Sequence, residues 1–159
     1  MSKYLFICRH ADAAPAAAGQ PDFDRPLSLT GAEQARHAAQ WVRQSGIPLA
    51  YLLCSAARRT QETARIFAEV LQLPASALQP DPALYQASAL DLLDIIEDWP
   101  ASRQAGLLIG HNPAVSALVG KFNSSPMQYV PTGGVNLFTF ATGDWQEISW
   151  SEGKWQSNF

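Results

Sequence analysis

Three short stretches carry side chains suited to an anion. Arg9 and His10 stand together, Arg58 and Arg59 follow Ser55, and His111 with Asn112 follows Gly110. Arginine stays cationic and meets phosphate oxygens through a planar fork. Imidazole is neutral at working pH and can act as a nucleophile. Two imidazoles and two guanidiniums at one place would make a site for a tetrahedral, doubly charged anion. One imidazole could attack phosphorus and form a covalent phosphoenzyme while the cations hold the equatorial oxygens. Water would then complete the hydrolysis. The cationic side chains do the work a metal would do, so the pattern implies no metal and no other cofactor.

For these residues to meet, the elements before them must end at a common edge. Tyr4-Leu5-Phe6-Ile7-Cys8 is a short apolar run with strand preference that leads into Arg9-His10. Leu49 to Ser55 and Gly106 to Gly110 read the same way. Strands apolar on both faces belong to parallel sheets covered by helices. Ligands in such sheets bind beyond the carboxyl ends of the strands. The expected fold is therefore α/β: a three-layer sandwich with a mostly parallel sheet, helices on both faces and an antiparallel edge hairpin. The 159 residues are read as one domain, 1–159.

Helices are expected between the strands. Thr30 with Glu33 three positions on forms a capping-box pattern, and Ala35, Ala38, Ala39, Trp41 and Val42 continue it to about Ser45. A second helix spans Arg58 to Leu71, with Ile66, Phe67, Val70 and Leu71 inward. A third starts after Ser88, with Leu90, Leu92, Leu93, Ile95 and Ile96 inside. A fourth opens at Pro113, which suits a first helical turn. Leu78 to Tyr85 is extended but interrupted by prolines. Val135 to Phe140 alternates as a strand, and Gly143-Asp144 turns it into a hairpin partner at Trp145 to Trp150. The tail around Trp155 is expected to fray. The stretch from Ala11 to Leu29 has no apolar periodicity, and a loop that long is uncommon unless it is functional.

Composition sets limits. Hydrophobic residues are 47% and charged residues 16%, which is globular, and the net charge of −3 argues against general nucleic-acid binding. No apolar run approaches about 18 residues, so no membrane span is expected. The Met1-Ser2-Lys3 start leads into a strand and not into a secretory segment, and the two cysteines, Cys8 and Cys54, read as buried, reduced thiols. A cytoplasmic monomer is the expectation.

Four blocks then resemble the histidine phosphatase superfamily, which has the phosphoglycerate mutase-like fold. Arg9-His10-Ala11 is similar to its Arg-His-Gly signature, with Ala11 in place of the glycine. Leu29 to Ala35 resembles the next segment, Ser55 to Thr63 the one after, and Gly110-His111-Asn112-Pro113 the block with the second histidine. The third block selects Arg59 over Arg58. The resemblance implies His10 as nucleophile, its other ring nitrogen held by a backbone carbonyl, with Arg9, Arg59 and His111 around the phosphate. The chain is short for the family and most resembles its small SixA-type phosphohistidine phosphatases. That implies a phosphohistidine-bearing protein as substrate, with a small phosphorylated metabolite as the alternative.

Ala11, Asn112 and Thr132 are added as substrate-binding residues: Ala11 from the signature, Asn112 through its backbone amide, Thr132 because it precedes a strand at the sheet end. The general acid of sugar-phosphate members has no evident counterpart near Leu84-Tyr85-Gln86, and Asp81 and Asp91 have no assigned place. An alkoxide needs a proton to leave, whereas a phosphoramidate nitrogen leaves with less help, so the lack favours phosphohistidine. His37 is read as a solvated helix residue. Other chemistries fit less well. A cysteine phosphatase needs arginine after five intervening residues, but Cys54 has Thr60 there and Cys8 has Ala14. A metal held by Cys8, His10 and His111 would lack a fourth ligand and face two arginines. A non-catalytic phosphate-binding module remains open to the same residues.

Overall fold

The structure is a computed structural model describing residues 1–159. It contains six strands in one sheet: β1 (Lys3–Arg9), β2 (Leu52–Ser55), β3 (Leu78–Asp81), β4 (Ala105–Gly110), β5 (Val135–Phe140) and β6 (Gly153–Ser157). Four helices lie between them: α1 (Leu29–Gln44), α2 (Arg58–Leu71), α3 (Ala89–Glu97) and α4 (Ala114–Phe122). The strand order is β3-β2-β4-β1-β5-β6. The first four are mutually parallel, and β5 and β6 add antiparallel at one edge.

Side chains of a strand alternate between faces, and here both faces are apolar. Leu5, Ile7, Leu53, Leu108, Phe138 and Phe140 face a core shared with Leu92, Leu93 and Ile96 of α3 and Val115, Leu118 and Val119 of α4. Phe6, Cys8, Leu52, Cys54, Leu107, Ile109, Val135 and Leu137 face the other, with Ala38, Ala39 and Val42 of α1 and Ala64 and Phe67 of α2. This two-sided burial makes the three layers. No helix is long and apolar enough to cross a membrane.

Several boundaries differ from the sequence expectation. The α1 cap is Ser28, whose Oγ accepts from Gly31 N–H at 2.9 Å; Thr30 lies inside the helix and is exposed. Both hydroxyls could cap, and Ser28 wins because its Oγ also donates to Asp12 Oδ2 at 2.6 Å. Ser88 caps α3 in a full capping box with Asp91. Leu90 is 63% exposed, not inside. It precedes Leu92 by two residues, which on a helix places it on the far side. In α2 the buried face includes Arg59, Thr60, Thr63 and Ala64, while Ile66, Val70 and Leu71 are only partly buried.

The antiparallel pair at the sheet edge is present, but the segment that forms its second strand is the largest correction. Trp145 to Trp150 is not a strand: Trp145–Glu147 is a 3-10 turn, and Trp145 and Ile148 drop into the core. Trp145 Nε1–H donates to the Arg103 carbonyl at 2.7 Å. The true partner of β5 is β6, in the tail expected to fray. Trp155 lies opposite Phe138, and its Nε1–H donates to Asn136 Oδ1 at 3.0 Å. The buried Asn136 gives a polar handle that a purely apolar strand would lack, and it fixes the tail.

Candidate active site

The parallel register dictates the meeting of the two imidazoles. Arg9 pairs with Gly110 across β1 and β4, so His10 and His111 are each the next residue past paired strand ends. Their ring centroids are 5.1 Å apart. The His10 N–H donates to the Gly110 carbonyl at 3.1 Å, which holds the end of β1 to the end of β4. From the other side Gly133, at φ 70°, donates its N–H to the carbonyls of Arg9 and His10. That left-handed turn suits glycine, and it brings Thr132 to the site. Ser55 ends β2 one strand further on and lies 2.8 Å from His111 Nε2.

The tautomers follow from the partners. His10 Nδ1–H donates to the Ala11 carbonyl at 2.8 Å, so Nε2 carries the lone pair. Arg59 Nε–H points at that lone pair from 3.4 Å. His111 Nε2–H donates to Ser55 Oγ, and its Nδ1 faces Arg59 Nη2 at 3.4 Å. Burial pushes the His10 pKa from its ordinary value down to about 4, with the Arg59 and Arg9 charges adding to the effect against the bond to Ala11. Burial, then the charges of His10 and Arg59, pushes His111 down to about 3. Both rings are neutral at neutral pH. A neutral His10 with its lone pair on Nε2 has the form that a nucleophilic imidazole needs.

Arg59 is 7% exposed, in the first turn of α2. Its terminal nitrogens donate to Asp22: Nη1 to the carbonyl at 2.8 Å and Nη2 to Oδ2 at 3.0 Å. Arg58, one residue earlier, is exposed and pairs with Glu62 at 2.8 Å, so of the two arginines it is Arg59 that lines the cleft. Arg9 reaches the Tyr129 hydroxyl and the Val130 carbonyl through Nη1, both at 3.3 Å. Its Nε is buried without a protein partner. A buried unpaired donor is costly, and this one belongs to a cation whose side chain lines the cleft.

The cleft has a volume of about 450 Å³ and includes Arg9, His10, Arg59, His111, Asn112 and Thr132 among its lining. That exceeds a phosphoryl group alone and leaves room for part of what the group is attached to. Ala11 is not in it. Its side chain is fully buried, its N–H donates to Thr63 Oγ1 at 3.1 Å and its carbonyl accepts from His10. Ala11 therefore holds the His10 ring and has no group left for substrate, which corrects its assignment as substrate-binding. The Asn112 side chain is spent on protein: Oδ1 accepts from the Ser116 N–H and hydroxyl, and Nδ2 donates to the Val130 carbonyl.

The sequence reading missed Asp12, Asp22 and Arg25, and it left Tyr85 and Gln86 unassigned; all five line the cleft. Asp22 is the centre of this group. Its Oδ1 accepts from Arg25 Nη1 at 3.0 Å, and its Oδ2 accepts from Arg59 Nη2 and from the Tyr85 hydroxyl at 2.5 Å. The Tyr85 hydrogen bond first, then those of Arg25 and Arg59, hold its carboxyl far below the usual range. The available signal was the charged Asp22-Phe23-Asp24-Arg25 run inside an otherwise alanine- and proline-rich loop. Asp81 and Asp91 are spent on capping Ala83 and Ser88. His37 is exposed on α1. Cys8 and Cys54 are buried and free, and burial raises both thiols, Cys54 to about 12, so neither supplies a thiolate at neutral pH.

The family model described as the histidine phosphatase superfamily (branch 1) matches residues 5–86. The chain is 36% identical over 119 residues to the phosphohistidine phosphatase SixA of Escherichia coli (strain K12), covering 74% of this chain and 72% of that one. It is 34% identical over 115 residues to an uncharacterised protein of Picosynechococcus sp. (strain ATCC 27264 / PCC 7002 / PR-6), covering 69% of this chain and 66% of that one, just under two thirds of that relative. A candidate phosphohistidine phosphatase SixA from Nakamurella multipartitia has the same fold, with a TM-score of 0.81 at 22% identity over 100% of this chain and 96% of that one. The family model over residues 5–86 and the relative from Escherichia coli together show that the chain belongs to the histidine phosphatase superfamily, branch 1.

Proposed function

We propose that this protein is a metal-independent phosphohistidine phosphatase working through a covalent intermediate on His10. The observation that carries the reading is the outward Nε2 lone pair of a neutral His10, 3.4 Å from Arg59 Nε. In the first step Nε2 attacks phosphorus, the bond to the leaving nitrogen breaks, and its electron pair returns to that nitrogen. Arg9, Arg59 and His111 hold the phosphoryl oxygens as charge redistributes. In the second step water attacks the phosphorus, the Nε2–P bond breaks, and phosphate leaves while the water proton passes to product or solvent. Thr132 and the Asn112 backbone lie along the phosphate.

The kinship to the SixA of Escherichia coli supports a histidine-phosphorylated protein as substrate. We take the acting species to be a cytoplasmic monomer and the 159 residues to be one domain. The test is a comparison of rates on a histidine-phosphorylated protein and on a panel of phosphate monoesters, in the presence and absence of EDTA. The reading expects the phosphoramidate to be preferred and EDTA to have no effect. Preference for one monoester would make it a small-metabolite phosphatase. Retained phosphate binding with no turnover on either class would make it a binding module.

A further inference from the structure

Asp22 has no part in the chemistry above, yet its carboxylate stands in the cleft beside the cations that would hold phosphate. A negative charge there opposes a dianion, so its presence asks for a reason. Three donors already reach it: Arg25 at Oδ1, and Arg59 and the Tyr85 hydroxyl at Oδ2. A carboxylate offers about four acceptor positions. The remaining one is on Oδ1, and the side chain is 51% exposed. Every neighbour donates to Asp22, so it accepts and has no proton to give. An acceptor that is anionic, half open and beside the phosphate cations suits a cationic donor on the part of the substrate that leaves.

Phosphohistidine supplies such a donor. Its imidazole is bonded to phosphorus through one ring nitrogen, and the remote nitrogen can carry a proton. When it does, the P–N bond breaks with its electron pair returning to the near nitrogen, and the ring departs as neutral imidazole. No proton has to be delivered during the step. A monoester has no such group: its departing oxygen becomes negative and would face Asp22 without help. Tyr85 lines the cleft beside Asp22, and the Arg59 guanidinium already lies over its ring at 6.0 Å. Phe23 meets the Tyr85 ring edge-on at 5.0 Å, and Tyr85 lies 5.5 Å from the His111 ring. Aromatic faces favour a desolvated cation.

We propose that Asp22 receives the leaving imidazole of a phosphohistidine substrate, its Oδ1 accepting the N–H of the ring nitrogen remote from phosphorus. This rests on the phosphohistidine reading and makes Asp22 the residue that sets substrate class. It holds the phosphorylated ring in its protonated form and disfavours anionic leaving groups, so attraction and repulsion work in the same direction.

The test uses Asp22→Asn, which keeps the shape and removes the charge, with Asp22→Ser as a second variant. Each is assayed on phosphoimidazole and on p-nitrophenyl phosphate. The ratio of kcat/KM for phosphoimidazole to that for the ester is expected to fall by about 10-fold or more in both variants. Orthovanadate is expected to inhibit them at least as well as it inhibits the wild type. An equal fall on both substrates would overturn the proposal, since Asp22 would then only hold Arg59 in place. A larger fall on the ester would overturn it too, since Asp22 would then aid the departure of an anionic leaving group and not hinder it. Rates unchanged on both substrates also reject it. If the wild-type protein turns over the ester and not phosphoimidazole, the function itself is misread and this proposal falls with it; in the other three outcomes the function stands.

Discussion

Arg59 Nη2 is 3.4 Å from His111 Nδ1, and the same guanidinium approaches His10 Nε2 through its Nε at 3.4 Å. One buried cation therefore faces the open nitrogen of both imidazoles. It orients each ring by disfavouring a proton on that nitrogen.

Replacement of Arg59 should therefore affect catalysis more than folding. Arg59→Ala is expected to lower kcat/KM by roughly a hundredfold to a thousandfold, the range seen when one fixed donor to a developing charge is removed. Arg59→Lys should recover little, because a point charge cannot reproduce the fork. Arg58→Ala should leave kcat/KM within about 3-fold, since an exposed i,i+4 pair such as that with Glu62 contributes little. Steady-state kinetics on the three variants checks this.

The depressed histidine pKa values set two pH dependences. His10 and His111 titrate near 4 and near 3 in the folded protein against an ordinary value of 6.5. As pH falls below 6.5 the unfolded chain takes up protons that the folded one does not, so stability falls with falling pH. The loss starts near 6.5 and continues until the folded rings also protonate, near 4 and then 3. Thermal melts between these limits should show a lower Tm at lower pH, with a flatter dependence in a His10→Asn, His111→Asn double variant. Over the same range His10 stays neutral, so the acid limb of kcat/KM should appear as pH approaches about 4, not at 6.5.

Gly31 ties α1 to the loop that carries Asp12 and Asp22. A Cβ added there would stand 2.0 Å from the Asp12 carbonyl oxygen, a backbone atom that cannot swing aside. Gly31→Ala should cost about 1–3 kcal/mol of stability, as forced overpacking does. It should also lower activity even at temperatures where the protein stays folded, because the loop bearing Asp12 and Asp22 must shift. Urea unfolding paired with activity at low denaturant separates the two effects.

How much of this the sequence could tell depends on the range of the forces involved. The strands ending at His10, Ser55 and His111 were legible because a strand buried on both faces must be apolar throughout, and few other elements look like that. Arg58 to Leu71 and the Ser88 cap were legible for similarly local reasons. The β6 strand was not: Lys154 and Gln156 make it look polar, and it exists because Asn136 and Phe138 receive Trp155. Trp145 and Ile148 misled because two apolar residues three apart can be a strand fragment or, as here, a 3-10 turn plugging the core. Asp22 escaped for the most general reason. Nothing within the loop from Ala11 to Leu29 says where it lies; the position is set by Arg59 and Tyr85, 37 and 63 residues away. Ala11 was misplaced for the opposite reason, since a motif residue can serve by holding its neighbour and never touch the ligand.

The central claim is that phosphorus passes through His10 Nε2, and trapping that species tests it most directly. The protein is mixed with a 32P-labelled phosphohistidine protein, quenched in denaturant at alkaline pH during turnover, digested, and its labelled peptide sequenced. The account predicts label on the peptide containing His10, stable to base and lost in acid as a phosphoramidate is, and none in His10→Ala. Label on Cys8, Cys54 or His111, or full turnover by His10→Ala, would contradict it.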